Sequence, residues 1–535
     1  MLARLVLALS LTPMLQAQDL QLTNARVWTG TGSEWQGPVV VRDGVLQPMG
    51  TEPSPGTRTV DLEGCLVVPG LQDAHGHLRG LGDALENVDL TGTKSFDEVV
   101  ERVKAAAART PKGEWVVGRG WDQNDWAVKD MPHHAELSAE TPDHPVWLVR
   151  VDGHAGLANL LALRASGIVA TTGAPEGGEI LLDEDEEPSG VLVDAAMDLV
   201  SLPAATAEQL RRRLLAAQQR CLQAGLTCVH DAGVTDAELT ELRLLHAAGK
   251  WHLRTYVMLA ASEQQLIRKG PWSSRDGLVV VRAVKAYADG ALGSRGAALL
   301  EPYADRPGWK GLVLPTPPNG LPALSQLCAD HGMQLCTHAI GDAANRAVLD
   351  AYAATRFRGD RKQARFRVEH AQIVADADFA RFAELGVLPA MQPTHLTSDM
   401  PWAPQRLGSR RVENAYAWKR FHALGVPVPF GSDFPVEGVD PCLGLFAAVT
   451  TATAPGKPAL RPDQQLDLAT ALRGFTRDAA FASFAEDRLG TVEPGKVADL
   501  TVFDRDLLAL PPEQLLQAHV RMTVVGGHVR YEAGP

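Results

Sequence analysis

The chain has 535 residues, 45% of them hydrophobic and 21% charged, a balance that excludes wholesale disorder and fibrous repeats. At about 150 residues per domain, this length accommodates three or four domains, or a single large barrel with appendages. With 51 basic against 64 acidic residues the net charge is −13, which offers no broad cationic surface for a phosphate backbone; nucleic acid is not an expected partner.

The opening stretch MLARLVLALSLTPMLQAQ sets one arginine ahead of an apolar run, with a small residue at a plausible cleavage point. It predicts a signal peptide over residues 1–17 and an exported protein, periplasmic or secreted. No other stretch reaches about 18 uninterrupted apolar residues, so no membrane span is expected once that segment is removed. Residues 18–68 carry short alternating segments punctuated by glycine and proline, the texture of strands and turns, and predict one half of a β domain. The same texture in residues 486–535, around 499–503 and 522–529, predicts the other half, after a helical stretch at 466–485. The termini thus build one small β-sandwich together.

Between them strand and helix alternate. Strands are predicted at 65–71, 227–230, 253–259, 279–287, 334–338, 366–370, 387–392 and 426–432, separated by segments of helical periodicity. Eight such units predict an α/β protein with a TIM-type (β/α)8 barrel, its first strand falling within residues 69–84 and the remainder within 206–485. Residues 85–205 are far too long for a loop and contain their own strand near 145–151, which predicts an inserted α/β subdomain. Six cysteines, Cys65, Cys221, Cys228, Cys328, Cys336 and Cys442, are scattered without a CxxC pair and read as small buried hydrophobes.

The candidate chemistry begins at PGLQDAHGH, residues 69–77. His75 and His77, two residues apart in extended chain, point to the same side. Lys285, His338, His370 and Asp433 close other predicted strands, and in a barrel those ends converge on one face. Singly, each has a bland explanation: a core histidine, an N-capping aspartate, a solvated lysine. Jointly, imidazoles and a carboxylate on one rim suit divalent zinc, manganese or iron, and an ammonium from an apolar strand needs a partner if it is buried. No GxSxG, HExxH, GxxxxGK[ST] or GxGxxG occurs, so the hydrolase and nucleotide-binding classes that use them fall away.

Further motifs extend the pattern: GRGWDQ at 118–123, RVDGHA at 150–155, GLTCVHDAG at 225–233, DGALGSR at 289–295, HAIGD at 338–342, EHAQ at 369–372, GSDFP at 431–435 and GTVEPGKVADL at 490–500. With these the chain resembles the amidohydrolase superfamily of metal-dependent barrels, and within it the amidohydrolase 3, or YtcJ-like, subgroup, over nearly all the chain beyond the opening segment. The resemblance implies His75 and His77 as ligands of one metal, His338 and His370 as ligands of a second, and Lys285 as a carbamylated bridge. Asp433 then binds the first metal and carries the proton from a metal-activated hydroxide to the leaving nitrogen. The cofactors implied are two divalent ions, most naturally zinc, and the substrate is a small-molecule amide whose carbon–nitrogen bond is not a peptide bond. A single metal beside unmodified Lys285, and a non-catalytic metal-binding or regulatory descendant of the fold, stand as alternatives. Substrate contacts are expected from the insertion and the loops, where Asp122, Arg150, His154, His230, Arg295 and His395 are candidates. A homodimer is the default assembly.

Overall fold

The computed structural model describes residues 19–151, 153–315 and 320–534, so the predicted signal peptide lies outside the described residues. The chain divides into two compact units, with boundaries between Gly80 and Leu81 and between Arg213 and Leu214.

The first unit contains the barrel. Seven parallel strands follow one another in the sheet: Leu71–Gly76, Leu226–Val234, Arg254–Ala260, Val279–Tyr287, Gln334–Ala339, Arg367–His370 and Leu388–Ala390. Most are apolar on both faces, as befits a parallel sheet covered on one side by helices and filled on the other by side chains.

Three sequence expectations need correction. The strand predicted at 65–71 is two strands. Leu66–Pro69 pairs antiparallel with Leu500–Phe503 in the small sheet, and only Leu71–Gly76 enters the barrel. Gly70 makes the passage possible, because a Cβ there would meet Thr227 Oγ1 at 2.3 Å. The eighth strand, predicted at 426–432, is irregular chain: prolines at 427 and 429 remove alternate backbone donors. It still closes the barrel, since Gly431 donates to Met391 O at 3.1 Å, Ala74 to Phe430 O at 3.0 Å and Asp433 to His75 O at 2.7 Å. The helical stretch at 466–485 breaks into Leu468–Gly474 and Arg477–Ala482. The break frees the Gly474 and Phe475 carbonyls to accept from Phe430 at 3.0 Å and Gln72 at 2.7 Å.

The terminal segments form two small sheets. One runs Val45–Leu46, Val39–Arg42, Leu20–Thr23, Arg58–Asp61; the other runs Arg26–Val27, Leu66–Pro69, Leu500–Phe503, Val520–Val525, His528–Glu532. Leu20, Val39, Val67, Leu500, Val502 and Met522 belong to one apolar cluster shared by both, which is sandwich packing.

The second unit is a six-stranded mixed sheet ordered Gly178–Leu182, Pro188–Asp194, Ala155–Ala158, Val146–Arg150, Val116–Trp121, Val88–Asp89. Alternation along Val146–Arg150 sends Val146 and Leu148 into a cluster with Val99 and Val103 of helix Phe96–Ala107, and Trp147 into another with Leu163 and Leu192. All six cysteines are buried and free. Among the described residues no helix is long and apolar enough to cross a membrane.

Candidate metal centre

His75 is fully buried near the end of the first barrel strand, and His77 follows just past it, their ring centroids 5.5 Å apart. Asp433, from the irregular closing segment, points Oδ1 at both, 3.0 Å from His77 Nε2 and 3.5 Å from His75 Nε2. Lys285, two residues before the end of the fourth strand, has Nζ 2.8 Å from His75 Nε2. His370 ends the sixth, its ring 5.0 Å from His75 and 4.5 Å from His338 of the fifth. The barrel therefore brings the six sequence-predicted metal residues to one place. His395, from helix Pro393–Asp399, joins them: it stacks on His370 at 5.7 Å and its Nε2 lies 3.8 Å from Asp433 Oδ2. Two trios have ligand atoms close enough to share an ion, His75–His77–Asp433 and His370–His395–Asp433.

The second nitrogen of several rings is already committed. His77 Nδ1 bonds Ala232 O at 2.8 Å, His370 Nδ1 bonds Gln392 Oε1 at 2.8 Å, and His75 Nδ1 bonds the Glu369 carboxylate. A ring that donates from Nδ1 presents a lone pair at Nε2. The Nε2 atoms of His75 and His77 both approach Asp433, whose carboxyl is pushed up by burial but held well below the usual carboxylate range by the hydrogen bond from His77 and the neighbouring imidazoles, and His75 Nε2 also meets Lys285 Nζ. The Nε2 atoms of His338 and His395 are buried with no hydrogen-bond partner among the described residues. Burial and Lys285 lower His75 to about 4 and His338 to about 3, so both rings stay neutral donors at neutral pH. The donor set fits a divalent metal.

Beneath the rim lies a buried chain of charge. Glu369 is pushed up by burial, yet Arg367 and His75 hold it at about 2. The Arg367 guanidinium bonds Glu369, donates to Ala74 O at 2.7 Å and meets His230 Nδ1 at 3.0 Å. Asp73 accepts from His75 N at 3.0 Å and from Ser432 Oγ at 2.6 Å, which ties the first strand to the segment that delivers Asp433. Sequence reasoning assigned no role to Arg367, Glu369 or Asp73, and placed His395 only among substrate candidates. The signal available for Glu369 and Asp73 was their adjacency to ligands in EHAQ and LQDAHGH; Arg367, three residues before His370, and His395 carried none.

Other candidates are placed differently. His230 is wholly buried against Arg367 and Tyr256, away from the rim. Its neighbour Asp231, also buried, accepts from Leu78 N at 2.8 Å and lines a cavity of about 300 Å³ that includes His77. Arg295 forms an ion pair with Asp305 at 2.9 Å. Asp122, Arg150 and His154 belong to the second unit, where Asp122 accepts from Asn124 N at 2.9 Å, Arg150 ends a strand and His154 bonds Asp194 at 2.7 Å. Burial without a partner, the expected objection to a bare ammonium, does not hold for Lys285, because His75 Nε2 is its partner.

The sequence profile of the amidohydrolase family matches residues 58–531. The chain is 32% identical to the Bacillus subtilis protein named "Putative amidohydrolase YtcJ", over 92% of this chain and 96% of that one. It is 30% identical to an N-substituted formamide deformylase of Arthrobacter pascens, over 97% and 99% of the two chains. The crystal structure of an uncharacterized metal-dependent hydrolase of Pyrococcus furiosus superposes with a TM-score of 0.77 at 27% identity, covering 92% of this chain and all of that one. The fold, the converging donors and these likenesses agree: the chain belongs to the amidohydrolase family, on its YtcJ-like branch, and is a hydrolase acting on carbon–nitrogen bonds.

Proposed function

We propose that the protein hydrolyses an amide-type bond of a small molecule with two divalent ions, zinc by preference, and that Asp433 moves the proton. His75, His77 and Asp433 would hold one ion and His338 and His370 the other, with Lys285 carboxylated and shared. The observation that carries this reading is the convergence of His75, His77, Lys285, His338, His370 and Asp433 at one end of the barrel, with Asp433 Oδ1 3.0 and 3.5 Å from the two Nε2 atoms of His77 and His75. When bound, the metals would polarise the scissile carbonyl and lower the pKa of the attacking water toward neutrality. Asp433 is an ionised acceptor at the mouth of that set, suited to take a proton at a carboxylate oxygen and return it to the leaving nitrogen. Glu369, Gln392 and the Ala232 carbonyl fix the tautomers of His75, His370 and His77.

Lys285 is 1% exposed, and burial lowers its pKa. A metal would claim the His75 lone pair that now partners Nζ. The neutral amine can instead bond the carbon of carbon dioxide and release a proton, which yields an anionic oxygen donor. The likeness to a formamide deformylase makes N-formyl, N-acyl and cyclic amides the first substrates to try. Turnover of that panel beside metal analysis tests the reading, with Lys285→Ala expected to lose metal and activity together. A metal-loaded protein inert toward every amide class, or a Lys285→Ala variant with both metals and full turnover, would overturn it. Export is the companion proposal, supported by the apolar run after Arg4; an intact Met1 on cytoplasmic protein from the native host would sink it.

A further inference from the structure

The cavity at the metal centre has a volume of about 390 Å³, and beyond the imidazoles and Lys285 its described wall holds no basic side chain. It does hold Asp399, Glu437 and Trp402. Asp399 closes helix Pro393–Asp399, four residues after His395. Residues at that spacing share a helix face about 5–6 Å apart. Because His395 faces Asp433, the Asp399 carboxylate stands about one turn from the reacting centre.

Asp399 Oδ2 accepts from the Tyr416 hydroxyl at 2.7 Å and from Gln372 Nε2 at 2.9 Å, which fixes the group and leaves Oδ1 without a donor among the described residues. Glu437 Oε1 accepts from Ser398 Oγ at 2.6 Å, and Oε2 is left in the same condition. At the other end of this wall the His395 Nε2 faces Asp433 Oδ2 at 3.8 Å. Two carboxylates with unused oxygens recognise an organic ammonium through charge-assisted hydrogen bonds, beside the Trp402 indole, over which the Arg406 guanidinium lies 5.7 Å from the ring centroid. They would repel a carboxylate or phosphate.

We infer that the substrate carries an ammonium about four or five bonds from its scissile carbonyl, seated against Asp399, Glu437 and Trp402. This rests on the amide-hydrolase reading of the same cavity. The test compares matched compounds on the metal-loaded enzyme. N-formyl-1,3-diaminopropane and 5-aminopentanamide place the charge five bonds away on the amine and acyl sides, N-butylformamide is the neutral isostere of the first, and N-formyl-4-aminobutanoate is the anion. The cation on one side is expected to exceed the neutral isostere in kcat/KM by at least about tenfold, and the anion to fall below it. The Asp399→Asn/Glu437→Gln double variant is read on the ratio of cationic to neutral substrate, which a general loss of activity leaves unmoved and which should fall toward one.

Calorimetric titration with 1,4-diaminobutane reads the same subsite without turnover. Binding by the wild type that the double variant loses supports the subsite even if no amide is hydrolysed, an outcome that would sink the hydrolase reading alone. Equal kcat/KM for cation and neutral isostere, a ratio unmoved in the double variant, or no diamine binding overturns the subsite.

Discussion

Asp433 and His370 both adopt left-handed backbone, at φ +62° and +71°, a region that costs a residue with a Cβ of order 1–3 kcal/mol. Both turn their side chains to the same cavity, so the strain coincides with the donors it presents. Asp433→Asn keeps an oxygen for the metal and removes the proton acceptor. Turnover is expected to fall by about 10²–10⁴-fold with most of the metal retained, as read by kinetics beside elemental analysis; near-native turnover with metals in place would move the proton transfer to another group. Glu369 never reaches the cavity, yet it holds His75 in one tautomer and neutralises Arg367 inside the barrel. Glu369→Gln leaves a buried guanidinium without its counter-charge, expected to cost about 3–5 kcal/mol in denaturant unfolding. Metal affinity in a chelator competition should weaken by about 10–100-fold. An unchanged chelator titration would mean that His75 needs no carboxylate behind it.

At the scale of elements, the closing segment carries the most function on the least regular structure. Gly431 runs so close to the first strand that a Cβ would lie 2.5 Å from His75 N and 2.6 Å from Asp73 Oδ1. Gly431→Ala must push that segment outward and take Asp433 with it. The expected result is a loss of about 1–3 kcal/mol together with a drop in bound metal, and full metal content at native stability would refute it. The same segment marks where sequence reading stopped. Valine and phenylalanine alternating with proline read as a strand by apolar pattern, while the missing donors at 427 and 429 rule out a ladder; the end of the segment, and hence Asp433, is nevertheless placed where a strand would put it. The change of sheet at Gly70 is hidden in sequence for a related reason, since the chain is continuously apolar from Cys65 to Leu71. Period and composition identify the other strands because each is a short apolar run bounded by turns. Arg367, Glu369 and Asp73 stayed silent because a buried charge inside a strand looks in sequence like any polar residue facing solvent, and only the closed barrel shows what it neutralises.

Over the whole first unit, the barrel and the terminal sheets are joined by one buried ion pair. Arg254, opening the third barrel strand, donates to Asp499 at 2.5 and 3.1 Å, with side-chain exposures of 6% and 5%. Asp499 also accepts from Gly526 N at 2.7 Å, and its own carbonyl accepts from Gly70 N at 2.7 Å, just before the first barrel strand. Two charges removed from water here are compensated mainly by each other, so losing one partner costs more than the pair contributes. Asp499→Asn is expected to lower unfolding free energy by about 3–5 kcal/mol. The pair sits at the opening of a seven-residue strand, about 20 Å of extended chain from the rim that holds the metal residues. The folded fraction should therefore keep its metal content and kcat, which separates this variant from Glu369→Gln. An Arg254→Met/Asp499→Leu double variant should be less damaged than Asp499→Asn, since it leaves no guanidinium unpaired and loses, besides the pair, the bond from Gly526 N and the one to Gly277 O. If the double variant were the weaker of the two, attraction within the pair would outweigh its desolvation, and the ion pair would be a source of stability in its own right.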